Sequence, residues 1–377
     1  MFTPPFCPYD TCSAHVQPAI DSWWRLDGFH NTKAFGRVQR FVCLQCGRTF
    51  SVQTFSVHYY AKRVIKLNKL DRLAASSMST RALSREFNCS CGSITNRMDR
   101  IARQAIGMHS MLRKTATTAE PVCFDGLVSF DRSQYFPSDI GVSVTAGSRF
   151  ILGVSHATTR RSGCMRPAQK IQRDRLYAGA SFEEKAVERS VTEHLDMLER
   201  ERTITRTAPL ILITDEKIEY VRALHKHALY QNQREDNRCA QLQVSSKAHR
   251  GFRNPLFASN YIDREVRKDQ ANHRRETTCF SRNAANTMSR LYSYIVHHNY
   301  CKRYLIKWPV HRKETAAVMA GISEQSVHRL QSHMFTRRTF LSHLQLDPID
   351  LKVWKKTVFS VEAGGLASGP LPRYAFG

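Results

Sequence analysis

Residues 121–157 read PVCFDGLVSFDRSQYFPSDIGVSVTAGSRFILGVSHA and contain three short apolar runs: PVCFDGLVSF (121–130), DIGVSVTAG (139–147) and RFILGVSHA (149–157). Runs of this length, separated by Pro, Gly and Ser, read as three sequential strands of a meander. Downstream, SFEEKAVERSVTEHLDMLER (181–200) sets Phe182, Ala186, Val191, Leu195 and Leu198 among charges, which fits an amphipathic helix. APLILITD (208–215) is a continuous apolar run ending on an acid, the pattern of a fully buried strand. The order strand, strand, strand, helix, strand, helix predicts an α/β fold with a mixed sheet and helices on its faces.

Two acids mark this sheet. Asp125 stands at the end of the first apolar run and Asp215 at the end of APLILITD. Aspartates at the C-terminal ends of sheet strands can point into one cleft, where paired carboxylates hold divalent cations such as Mg²⁺. A third acid is expected from a later helix, and NYIDREVRKDQANHRRETTCF (260–280) offers Asp263, Glu265, Asp269 and Glu276. At about 100° per residue, Glu265, Asp269, Asn272 and Glu276 share one helix face and Asp263 lies on another. The former face favours Glu265 as the third acid, with Asp263 as the alternative. Arg264, Arg267, Lys268, Arg275 and Arg282 are candidate clamps for phosphates beside such a site.

The charge balance agrees with a polyanionic partner. The chain has 377 residues, with Lys+Arg 57 against Asp+Glu 32, a net charge of +25 and a pI near 9.9. Nucleic acid is therefore the first partner to expect. Hydrophobic residues at 42% and charged residues at 24% are globular composition. No run approaches the ~18 uncharged apolar residues of a membrane helix, and the start, MFTPPFCPYDTCSAH, has neither the basic nor the apolar part of a secretory signal. These features exclude secreted, membrane and acidic-tail classes and point to a cytoplasmic protein.

The cysteines cluster towards the N-terminus. Cys7 and Cys12 form a C-x4-C knuckle and Cys43 and Cys46 a C-x2-C knuckle, with strand-like sequence (WWRLDGFH, GRVQRFVCLQCGRTF) between and around them. Two short-spaced pairs suit one tetrahedral Zn²⁺ in a reducing compartment. Next, NKLDRLAASSMSTRALSREFNCSCGSITNRMDRIARQA (68–105) reads as short helices with Ser79 as an N-cap and a polar turn through Asn88–Gly92. Ile94, Met98, Ile101 and Ala105 face inward in this reading, which leaves Asn96, Arg97 and Arg100 outward, as on a helix that enters a major groove. A second stretch, ETAAVMAGISEQSVHRL (314–330), has the same shape with a Gly321 turn and a Ser323 cap; a plain helical hairpin fits it equally well.

Taken in order, CPYDTC, VQRFVCLQCGRTFS, MSTRALSREF…SITNRMDRIAR, FDGLVSF, ITDEKIEY and IDREVRKD followed by CFSRN resemble the prokaryotic insertion-sequence transposases that join a zinc ribbon, a helix-turn-helix and a DDE ribonuclease-H-like core. The likeness is nearest to the insertion-sequence-one type and covers about residues 5 to 305. It implies a zinc ribbon over 1–60, a helix-turn-helix over 61–114 and a ribonuclease-H-like core with a helical insertion over 115–306, while 307–377 reads from its own pattern as a helical, basic region. It also implies Asp125 and Asp215 as the first two catalytic acids, with Glu265 or Asp263 as the third, holding two Mg²⁺. The partners implied are double-stranded DNA, both element ends and target, and further copies of the chain, in a prokaryotic, nucleoid-associated setting. The rival reading is a DNA-binding regulator, or a domesticated transposase whose core is only structural.

Overall fold

The computed structural model describes residues 2–16, 22–117, 119–231, 238–274, 279–309, 311–360 and 365–366. At its centre are the expected meander strands, β4 (Val122–Phe130), β5 (Pro137–Thr145) and β6 (Ile151–Thr158), preceded by three N-terminal strands described below. β4 pairs antiparallel with β5, and β5 with β6. β7 (Leu210–Asp215) joins the other edge of β4 in parallel, and β8 (Cys239–Val244) extends β7 in parallel. The strand order β6-β5-β4-β7-β8 makes a mixed five-stranded sheet. β8, CAQLQV, has no counterpart among the sequence-based expectations. It is an edge strand with one neighbour, so it carries polar residues where a central strand would carry an apolar run.

Helices cover both faces because β5 and β6 are buried along nearly their whole length. Neighbouring residues of β4 report the two sides, since side chains alternate along a strand. Phe124 meets His194 of α5 (Ala186–Glu201) and Tyr220 of α6 (Ile218–Lys226). Cys123 instead donates from Sγ to the carbonyl of Pro255, at the approach to α8 (Phe257–Asp269), 3.3 Å away. Close approach of α5 needs Gly141, where an added Cβ would stand 2.6 Å from Ser190 Oγ. Between β6 and α5 lies α4 (Pro167–Tyr177), which buries none of its residues and offers no apolar stripe from which to foresee it.

Three helices precede the sheet: α1 (Leu67–Ala75), α2 (Thr80–Glu86) and α3 (Cys91–Arg113). Ser79 accepts from Ala82 N–H at the start of α2, as its position predicts, and Ser90 accepts from Ser93 N–H at the start of α3. From Arg100 to Ser110, α3 is buried throughout and packs along α9 (Ala284–Val296), which lies beyond α8 and the short α7 (Ala228–Gln231). Arg290 of α9 donates to the carbonyls of Ala74 and Met78 at 2.7 Å, closing the open end of α1.

The N-terminal strands β1 (Trp24–Thr32), β2 (Gly36–Cys43) and β3 (Thr49–Ser51) form a separate antiparallel sheet over an aromatic cluster of Phe6, Trp23, Phe41, Phe50 and Phe55. That cluster is completed from far along the chain by Phe340. Residues 336–342 lace the two ends of the molecule together: Val57 N–H donates to Thr336 O (3.3 Å), Arg338 N–H to Phe55 O (2.8 Å), and His15 Nε2 bonds Ser342 Oγ (2.8 Å). The second helical hairpin forms as read, from α10 (Ala316–Met319) and α11 (Glu324–His333), with Ser323 accepting from Ser326 N–H. Gly321 between them has φ +87°, and an added Cβ would stand 2.1 Å from Thr117 Oγ1. Of the Gly/Pro-rich end expected to be loose, all but residues 365–366 lies outside the described residues. Among the described residues, no helix is long and apolar enough to cross a membrane.

Arg113, at the end of α3, pins α12 (Pro348–Trp354) to the body. Its guanidinium is fully enclosed and reaches Glu201 at 2.6 Å, Asp350 at 2.8 Å and Asp347 at 3.3 Å. Arg113→Met would leave three buried carboxylates facing one another, and we expect it to lower unfolding stability by about 3–5 kcal/mol. Arg200→Ala removes a half-exposed partner of the same Asp347 and should cost about 1 kcal/mol or less. Urea unfolding of the two variants checks the contrast.

Candidate functional site

The four-cysteine cluster is built by two knuckles. Cys12 N–H donates to Tyr9 O and Cys7 N–H to Ala14 O, curling residues 7–14 around the first pair. Gly47 N–H donates to Cys43 O from a left-handed φ of +68°, which bends the chain just after Cys46. Across the two knuckles, Cys7 Sγ lies 3.8 Å from Cys46 Sγ, and Cys12 Sγ lies 3.6 Å from Cys43 Sγ. All four sulfurs fall within 4.8 Å of one another, and three of the residues are buried. Thiolates ~2.3 Å from a shared tetrahedral ion stand roughly 3.8 Å apart, so the cluster could hold one structural metal ion such as zinc. Burial opposes ionisation of Cys43, but N–H groups of Cys46 and Gln45 aim at its sulfur and hold its pKa below the ordinary thiol value. His15 is not a fifth donor, because its ring nitrogens already bond Cys7 O and Ser342 Oγ. Purified protein should therefore contain about one zinc per chain by elemental analysis. Cys43→Ser should release it and lower the melting temperature.

The acids meet on the sheet by register. β4 and β7 pair in parallel as Val122 with Leu212 and Cys123 with Ile213. The same register carried two residues further sets Asp125 beside Asp215, and residues in register on parallel strands point to one face. Asp125 is thus not at its strand's end as expected. It is the fourth residue of β4, which continues to Phe130 against β5 after its contact with β7 has stopped. The parting of β4 from β7 leaves both carboxylates half-buried rather than sealed. The carboxyl of Asp125 is pushed up to about 7, first by burial and then by the negative charges of Asp263 and Asp215. Its Oδ1 accepts from Gly126 N–H (2.7 Å), and Asp215 Oδ1 accepts from Lys217 N–H (3.0 Å).

The two candidate acids of α8 meet different surroundings. Glu265 is buried on the flank of α8 that faces Lys302, to which it is ion-paired, and Lys268 holds its other side at 2.9 Å. Burial would raise its pKa, but the two ammonium groups outweigh that and hold it below the ordinary value. Glu265 is therefore neutralised in place, and it is Asp263 whose charge reaches Asp125. The Glu265–Asp269–Glu276 face proposed from spacing is in part a packing face, and Glu276 lies outside the described residues. Sequence reading also passed over Asp139 and Lys217. Asp139 of β5 is nearly buried, adds to the field at Asp125 and is ion-paired with Lys217. An acid at the head of a buried strand is the signal that could have drawn notice.

The expected DNA contacts divide. Arg97 and Arg100 do not face outward. Both are buried: Arg100 Nη1 donates to Val57 O (3.1 Å) with its guanidinium over the Tyr59 ring, and Arg97 Nη2 donates to Arg63 O (3.3 Å). The segment at 57–63 covers this side of α3, which a helical wheel of α3 alone could not show. Asn96 is half-buried, its Oδ1 accepting from both arginines. Arg264, Lys268 and Arg282 are exposed, and Arg275 lies outside the described residues. Exposed cations on α1, α2 and the segment before them are Lys62, Arg63, Lys66, Lys69, Arg72, Arg81 and Arg85.

Among the described residues, the cysteines are the one group of three or more His, Cys, Asp or Glu whose donor atoms crowd closely enough for a metal; the carboxylates stand further apart. Compared with known protein families and with curated proteins, the chain matches no family model and no curated sequence.

A buried carboxyl beside other acids has a thermodynamic signature. The folded-state pKa of Asp125, about 7, lies above its ordinary 3.8, so its ionisation opposes folding as pH rises. Asp125→Asn should raise the melting temperature without divalent cations. The gain should be full above about pH 7 and fade as pH falls towards 4, as differential scanning fluorimetry across pH can read.

Proposed function

We propose that the chain is a DNA transposase that binds the ends of its own element and carries out metal-dependent strand cleavage and strand transfer. The observation that carries this reading is the placing of Asp125 and Asp215 on adjacent parallel strands, just beyond the paired residues, with Asp263 of α8 contributing to the same electrostatic field. The antiparallel meander continued by two parallel strands supports a ribonuclease-H-like core. The four cysteines support a zinc ribbon. The α2–α3 corner, capped at both helices, supports a helix-turn-helix whose exposed Arg81 and Arg85 meet DNA in place of the buried Arg97 and Arg100.

What supports divalent cations here is the like charge of Asp215 and Asp263 acting on the half-buried Asp125, while the nearby Asp139 is ion-paired with Lys217. Two Mg²⁺ held by Asp125, Asp215 and Asp263 would supply an activated water or 3′-hydroxyl and stabilise the leaving 3′ oxygen. The protein's own part is to hold the carboxylates and to seat phosphates. Arg267, 3.6 Å from Asp263, steadies that side chain, and the exposed Arg264 next to it is placed to meet a phosphate. No covalent protein–DNA intermediate is required, and assembly of several copies on paired ends accompanies this chemistry.

The test incubates purified protein with Mg²⁺ and labelled DNA taken from both sides of its own coding sequence. Nicked and joined products are expected. Asp125→Asn, Asp215→Asn and Asp263→Asn should each reduce cleavage on the order of a hundredfold or more while DNA binding persists. Glu265→Gln should retain cleavage. Binding without products from the wild type would leave the regulator reading.

A further inference from the structure

A run of rings and cations follows one flank of α8 and continues onto residues 304–312. It begins at Phe252, which is 88% exposed within the basic loop KAHRGFR (247–253). Ring centroids step from Phe252 to Phe257 at 4.6 Å and on to Tyr261 at 6.1 Å. Arg149 then bridges two rings, 4.7 Å from Tyr261 and 3.9 Å from Tyr304. Tyr304 is 5.5 Å from Trp308, and Arg312 covers Trp308 at 3.7 Å.

Such a run would be ordinary core if it were sealed, but Phe252 is open at one end and Trp308 is only half-buried at the other. Arg250 and Arg253 flank Phe252 and are exposed, as are Lys307 and Arg312 beside Trp308. The acids along it are taken: Glu314 by Arg312 at 2.9 Å, and Glu265 by Lys302 and Lys268. A surface of ring faces beside Arg250, Arg253 and Lys307, which show no ion pair among the described residues, suits an occupant that has flat apolar faces and a regular negative charge. A duplex keeps its bases stacked on each other and would offer only phosphates, leaving Phe252 in water. An unpaired strand offers both.

We propose that this stripe binds single-stranded DNA, with Phe252 and Trp308 as stacking platforms at its ends and Arg250, Arg253 and Lys307 as phosphate contacts. The proposal rests on the DNA reading above but not on catalysis. Tyr261 and Asp263 are two positions apart on α8 and so point about 200° apart. The stripe therefore runs on the opposite flank of the helix from the acids, and a strand held there stays clear of them.

The experiment measures fluorescence anisotropy of a dye-labelled oligothymidine of about 15 nucleotides, a length within the usual range for such sites, and of a hairpin duplex. Full-length protein is used without added Mg²⁺, so strand cleavage plays no part. Phe252→Ala removes a side chain that makes little core contact. It should weaken single-strand binding about fivefold or more, leave duplex binding unchanged, and be rescued by Phe252→Trp. A single-strand affinity within about twofold of wild type, or an equal loss on single strand and duplex, would overturn the proposal. Failure of the cleavage assay beside the expected Phe252→Ala result would remove the transposase reading and leave the stripe as a single-strand site.

Discussion

The parallel contact between β4 and β7 is the constraint on which the rest depends. It is short, only Val122–Leu212 and Cys123–Ile213, yet it sets the register of two segments far apart in sequence. Slipping it by one residue would turn Asp215 to the opposite face from Asp125. The meander holds β4 in place on its other edge through Phe130, so β4 cannot shift to relieve the repulsion between the acids. The carboxyl pKa of Asp125 is raised first by burial and then by the neighbouring acids. A sheet that places acids on neighbouring strands gives them one shared field, which separates them from isolated surface acids.

The helices do the same work from the other side. α8 can lie against β4 and β5 because Ala258, Ser259, Ile262 and Val266 form its buried stripe. Asp263 then falls on one margin of that stripe and Glu265 on the other. The two margins meet different surroundings: the acids of the sheet for Asp263, and Lys302 and Lys268 for Glu265. One helix thus presents a charged site on one flank and an aromatic, basic flank on the other.

Remote parts of the chain are bound into this body by polar contacts as well as by core. Residues 336–342 tie the cysteine-bearing sheet to the central helices, Phe340 completes the N-terminal aromatic cluster, and the enclosed Arg113 gathers Glu201, Asp347 and Asp350. A buried arginine with three carboxylates specifies one arrangement, because any other leaves a charge without a partner. The stretches that read as separate in sequence therefore pack as neighbours.

Local pattern by itself determined the three meander strands, the buried β7, the amphipathic α5, the caps at Ser79 and Ser323, and the two short-spaced thiol pairs, Cys7 with Cys12 and Cys43 with Cys46. Each is an effect of residues within a few positions of one another: alternation, periodicity, a hydroxyl three residues from an N–H, two thiols on one turn. Tertiary structure alone decided which acid of α8 approaches Asp125, that Arg97 and Arg100 are covered by residues 57–63, and that the polar β8 forms the sheet's edge. Spacing separates Asp263 from Glu265 on a helix, but it does not say which face meets the sheet and which meets Lys302. That depends on lysines and strands tens or hundreds of residues away, whose positions follow from packing the whole chain.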